Sequence, residues 1–234
     1  MNFYQNNTAA QSAFALQQVL TSTMKKVYSK MTLALIVSGV VAYYAAHSLS
    51  YLQFLFSNSW FNYVLLIGEL GLVIGISAGI NKLSSVTASA LFYLFALVNG
   101  LALMPIFLAY SQAILAKTFF ITAGTFAAMS IYGYTTSRDL SKFGNFLFMA
   151  LIGLIITSVV NIFTKSEGLD WIISIVGVLI FVGITAWDTQ KIKTMAAMVP
   201  ASETGRLATI GALSLYLDFV NLFLYLLRIF GNRR

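Results

Sequence analysis

Cysteine is absent from this 234-residue chain, which excludes disulfides, thiolate metal sites and cysteine nucleophiles and leaves the redox compartment open. Histidine occurs once, at His47. With no second histidine and no cysteine beside it, it reads as an interfacial polar residue rather than a metal ligand. Charged residues are only 9% of the chain, against about 25% in soluble domains. Residues 1–24 carry no charge and no short apolar core with a cleavage site. They read as a polar, Asn/Gln-rich, loosely ordered tail rather than a signal peptide. Glycine-rich phosphate loops, Ser/His/Asp triads and internal repeats are missing too, so neither an enzyme nor an inverted-repeat transporter is expected.

What remains is apolar. Hydrophobic residues make up 59% of the sequence, more than one soluble core of this length can hide, so much of that surface must face lipid. Windows long enough to cross about 30 Å of hydrocarbon fall at 31–56, 61–80, 86–108, 119–134, 146–163, 171–187 and 207–230. The expected architecture is one all-helical membrane domain over 25–234 behind the tail. The net charge of +7 is spread over ends and loops, a pattern of membrane-flanking cations and not of nucleic-acid binding.

Lys25, Lys26 and Lys30 precede the first span, so the N-terminal side is expected to be cytoplasmic. Counting seven crossings puts Lys82, Arg138, Lys142, Lys191, Lys193 and Arg206 on that side as well. Lys117 and Lys165 fall outside, in agreement, whereas Arg228, Arg233 and Arg234 also fall outside, against the bias. Tyr43, Tyr44, Tyr51, Trp60, Tyr63, Trp171 and Trp187 lie near span ends, as interfacial anchors do.

Two carboxylates lie in the last two apolar stretches: Asp188 ends the sixth, and Asp218 is about midway through the seventh. An aspartate at the centre of a membrane helix costs roughly 2.5–3.5 kcal/mol on insertion scales and is a functional candidate by default. In the last span Gly211, Ser214, Asp218, Asn221, Tyr225 and Arg228 recur at alternating spacings of three and four. That spacing makes one stripe, suited to the interior of a bundle. For Ser214 and Asn221 alone, interhelical hydrogen bonding suffices as an explanation. In the second span Gly71, Gly75 and Gly79 form a close-packing face for another helix. Glu69 points away from it, as a third carboxylate of the site or the partner of a basic group. Lys82, at the end of the same helix, can snorkel to the interface. Asp139, Glu167 and Asp170 read as loop charges. Two membrane aspartates also suggest an intramembrane aspartyl protease, but Asp218 sits in LYLD with no GxGD motif.

At ITAWDTQKIK (184–193), GALSLYLDFVNLFLYLLRIFG (211–231), YGYTTSRDLSKFGNFLFMALIG (132–153) and VNIF (160–163) the chain resembles the Bax inhibitor-1 (TMBIM) family, closely its bacterial inner-membrane members. The resemblance implies six helices around a central seventh and a pH-sensitive calcium leak, with calcium as permeant ion and no cofactor. It also implies a di-aspartyl pair of Asp188 and Asp218 between spans six and seven. In such relatives an arginine near the inner end of span two contacts the pair, a place that Lys82 takes here, and Glu69 matches an acidic position. The pair would share one proton in a short hydrogen bond that closes the inner mouth. Doubly ionised, it would hold calcium transiently, with Asn221, Glu69, backbone carbonyls or water completing the shell. A non-conducting partner of other membrane proteins, working in quality control, is the alternative; a metabolite transporter is a weaker one. By window counting Asp188 sits at the inner boundary and Asp218 about eleven residues in, roughly 16 Å. Contact therefore requires span six to continue through 189–198 or span seven to enter later than residue 207.

Overall fold

In the computed structural model the backbone is described for residues 2–231 and the side chains for 14–231 except 201. The chain folds as α1 (Asn2–His47), α2 (Leu49–Ser57), α3 (Trp60–Gly79), α4 (Ser85–Ala109), α5 (Gln112–Thr135), α6 (Ser141–Thr164), α7 (Glu167–Met198) and α8 (Thr204–Phe230). All but α2 are long and apolar enough to span a membrane. Four of the helices begin on serine. The side chains of Ser48, Ser84, Ser111 and Ser166 accept the backbone N–H of Tyr51, Thr87, Ile114 and Leu169, each satisfying a donor that the first turn leaves open.

The central helix is α8. Inside the bundle 61% of its apolar window is buried and 50% of that of α7, against 11% for α3 and α6. It packs on α7, α1, α5 and α4 and touches α3; α6 stands behind α7 and meets α8 through Tyr225. Each side of α8 carries residues fitted to one neighbour. Phe219 meets Phe119 and Phe126 of α5 edge-on, and Tyr216 meets Phe92 and Phe95 of α4 in the same way. Small residues let backbones close up. A Cβ on Gly133 of α5 would lie 2.1 Å from the carbonyl oxygen of Ala186 in α7, and one on Gly100 of α4 would lie 2.7 Å from that of Ser38 in α1.

The structure departs from the sequence expectations in four places. The first span ends at His47, and residues 49–57 form the separate α2, because Ser48 restarts the helix with a cap. The expected tail is helical from Asn2, with Thr23 and Met24 already buried; no glycine or proline precedes Gly39 to interrupt it. The glycine run of α3 packs on nothing within the chain: a Cβ on Gly71 or Gly75 would meet no atom within 4 Å, and one on Gly79 only its own neighbour Leu83. That helix turns Leu65 and Ile76 inward instead, while Gly71 and Gly75 lie to the side and are exposed. Finally, α7 runs on to Met198, and the chain turns only before Pro200. The lysine-rich end of the bundle carries the α3–α4, α5–α6 and α7–α8 connections. At the distal end Arg228 lies 3.7 Å from Asp170 in the first turn of α7, so α8 crosses the whole bundle. Arg233 and Arg234 fall outside the described residues.

Candidate functional site in the helix seven and eight interface

Two contacts set the register of the antiparallel α7 and α8. Gly211 faces Ile192, whose Cδ1 would be 3.1 Å from an added Cβ, and Gly177 faces the ring of Tyr225 at 2.6 Å. Interpolating between them, Asp218 lies level with Thr185, and Asp188 about one turn nearer the lysine-rich end, level with Ser214. Extension of α7 to Met198 is what removes the mismatch in depth. Asp188 lies about 10 residues from that end of α7 and Asp218 about 14 from the start of α8, or roughly 15 and 21 Å.

Asp218 is 4% exposed, and Asp188 is half-buried and within its electrostatic reach. Among the described residues no hydrogen bond joins the two. The Oδ2 of Asp218 is buried without a partner, as are the hydroxyls of Thr189 on α7 and Ser130 on α5. A buried carboxylate oxygen with nothing to bond is costly, so this stretch of the interface favours a proton or a cation. No third acidic or imidazole group completes a cage among the described residues. The pair supplies at most four of the six to eight oxygens calcium takes.

The stripe on α8 does face α7. Tyr225 stacks on Phe181 with centroids 5.8 Å apart, and Arg228 lies 5.5 Å over the Tyr225 ring. Ser214 is half-buried, whereas Asn221 donates 2.8 Å to Leu217 O of its own helix and so reaches no other helix through that bond. Lys82 does not take the position expected of it. It is exposed in the α3–α4 loop, and the cation acting on Asp188 is Lys191, one turn along the same helix. The loop is gripped instead by Arg206, which donates 2.9 Å to Asn81 O.

Glu69 belongs to a different site. It accepts 2.9 Å from Asn99 Nδ2, while Asn99 Oδ1 accepts 2.7 Å from the Tyr216 hydroxyl. That hydroxyl is in turn 2.6 Å from Ser38 Oγ. Four helices, α3, α4, α8 and α1, meet in this chain of bonds. Tyr216 and Asp218 are two residues apart, about 200° around α8, so the carboxylates serve opposite sides of the central helix. The role of Glu69 as a third ligand of the pair is thereby corrected. Asn99, Tyr216 and Ser38 were unmarked in sequence, since one polar residue per helix gives no periodic signal; a polar side chain inside an apolar run was the only hint. Lys30 is a further case: its Nζ donates 2.8 Å to Thr209 Oγ1 and also bonds Ser89 Oγ, tying α1 to α8 and α4.

Residues 20–234 match the family described as "Inhibitor of apoptosis-promoting Bax1". Among curated proteins the chain is 51% identical over 218 residues to the inner membrane protein YbhL of Escherichia coli (strain K12), covering 92% of this chain and 93% of that protein. An uncharacterized protein of Borreliella burgdorferi is 46% identical over 213 residues, covering 90% and 92%. An uncharacterized membrane protein of Streptococcus pyogenes is 36% identical over 215, covering 91% and 93%.

Proposed function

Since this chain belongs to the Bax inhibitor-1 family, we propose that it is a pH-sensitive calcium leak channel of the bacterial inner membrane, gated by Asp188 and Asp218. The observation that carries this reading is the orphaned Oδ2 of Asp218, buried within electrostatic reach of a second carboxylate. Two carboxylates so placed do not both ionise cheaply. With a proton on the pair, α7 and α8 stay closed over the interface. With both ionised they repel, and their oxygens suit a hard divalent cation. The shell they offer is incomplete, so the ion is held weakly, which a leak requires if the ion is to leave. The inner-membrane location follows the relative whose name states it. A cytoplasmic placing of the N-terminal side is supported by Lys82, Arg138, Lys142, Lys191, Lys193 and Arg206, which lie in or near the connections at that end of the bundle.

Calcium flux from liposomes across pH 5–8 tests the reading, with Asp188→Asn and Asp218→Asn beside the unaltered protein. We expect flux to vary with pH in the unaltered protein and that variation to disappear in both variants. Unchanged flux and pH profile in the two variants would falsify the gate.

One observation favours a second reading, a non-conducting partner of other membrane proteins. The outward Gly71 and Gly75 leave a helix face open to close approach. Crosslinking from position 74 to another membrane protein, together with no flux in liposomes, would select it.

A further inference from the structure

At the lysine-rich end a cavity of about 710 Å³ lies between the α5–α6 connection and the last turns of α7. Its shape is fixed by one side chain. Gln190 donates 2.8 Å to Arg138 O and accepts 2.8 Å from Leu140 N, holding the connection against α7 from both ends of its amide. The Trp187 ring forms a wall, seated so closely on Gly144 that an added Cβ there would come within 2.2 Å of it.

Three cations line this space: Arg138, Lys191 and Lys193. None has an ion-pair partner among the described residues. Lys193 donates 2.6 Å to Tyr134 O and keeps two further N–H groups. Lys191 stands 5.1 Å over Trp187, and the Arg138 side chain is exposed. The one carboxylate in the lining, Asp139, is already engaged, accepting 2.9 Å from Ser141 N. That hydrogen bond holds its carboxyl below its ordinary value, so it stays ionised and offsets one of the three cations. A concave, hydroxyl-bearing space with an excess of two positive charges suits a tetrahedral oxyanion, which arginine binds through paired N–H groups and lysine as a point charge.

We propose that this cavity binds a phosphate-bearing anion through Arg138 and Lys191, with Lys193 in support. The anion is either free or the headgroup phosphate of an anionic lipid. Binding stands apart from the leak reading; only its effect on the pair depends on it. Because Lys191 acts on Asp188, an anion that draws its ammonium away removes a positive charge from beside the carboxylate.

The chain has three tryptophans, so Trp60→Phe with Trp171→Phe leaves Trp187 as the sole indole reporter. In that background its fluorescence is titrated in two arms: inorganic pyrophosphate added to protein in phosphatidylcholine nanodiscs, and nanodiscs of increasing phosphatidylglycerol content. We expect a saturable change in at least one arm. A response to pyrophosphate identifies a free anion, and a response to phosphatidylglycerol alone identifies a lipid headgroup. Arg138→Gln and Lys191→Gln should each weaken it about tenfold, the scale of one lost charge-assisted hydrogen bond. Lys191→Arg should restore it, and Lys82→Gln, an equal loss of charge outside the cavity, should leave it unchanged. The site does not exist if neither arm saturates, or if Lys82→Gln weakens the response as much as Arg138→Gln does. Rescue by Lys191→Arg separates lost binding from a misfolded variant.

Discussion

The central helix carries two acidic environments on opposite sides, and they are built in opposite ways. Toward α3 and α4, the Glu69 carboxylate ends a bonded chain through Asn99 and Tyr216 to Ser38, every link between 2.6 and 2.9 Å. Toward α7, Asp218 keeps a buried oxygen with no partner beside a second carboxylate. A satisfied buried network holds helices together and loses much when one member goes. An unsatisfied one spends stability and is retained where charge has work to do. The first holds helices together, and the second is the group on which the proposed leak rests. Removing Asn99 should harm the fold, and removing the charge of Asp218 should not.

Asn99→Leu should give the largest effect. It leaves Glu69 without the Asn99 amide and takes from the Tyr216 hydroxyl one of its two partners, Ser38 remaining, at about 1–3 kcal/mol, seen as a fall in the thermal midpoint in detergent. Asp218→Asn, in the same assay, should stay within about 1 kcal/mol of the unaltered protein or gain, because it deletes an unpaired buried charge. If the two variants exchange these outcomes, the comparison is broken.

Gly133→Ala sharpens the contrast behind the pair. Its methyl would press on the Ala186 carbonyl, and overpacking costs about 1–3 kcal/mol. Gly75→Ala, on the open face of α3, should gain up to about 1 kcal/mol in helix propensity. Tyr216→Phe should cost about 1 kcal/mol for its lost hydrogen bonds while preserving the aromatic contacts. Smallest is the Asp139 cap. Its carboxyl lies below the ordinary 3.8 in the folded chain. Its support of α6 is therefore full above that value and lost as pH falls through the lower, folded one. The Ser141 amide resonance should titrate with a midpoint under 3.8, and a midpoint at or above it would discard the cap.

Much of this was legible beforehand, and the reasons are local. Seven crossings follow from run length and hydropathy, and the polar stripe from Gly211 to Arg228 follows from helical periodicity. Both survive into the fold. The end of α7 was misplaced because hydropathy falls at Asp188, where the helix does not; Thr189 and Ile192 are still buried among neighbouring helices. The spacing of the α3 glycines permits a packed face, but spacing does not say which face a neighbour takes. Place along the chain points to Lys82 and does not separate it from Lys191, which lies on the aspartate's own helix.

The sequence by itself determined a membrane protein with two acidic groups in its last two spans, because the cost of charge in hydrocarbon is a property of residue and depth. It determined family as well, through long motifs that leave little room for coincidence. Only the tertiary structure decided that Asp188 comes within electrostatic reach of Asp218, and that Glu69 serves a separate network. It alone showed the glycines of α3 facing outward. Each of these depends on the rotation and axial offset of one helix against another, set by close contacts such as Gly177 with Tyr225 and Gly133 with Ala186, which no pattern along a single helix contains.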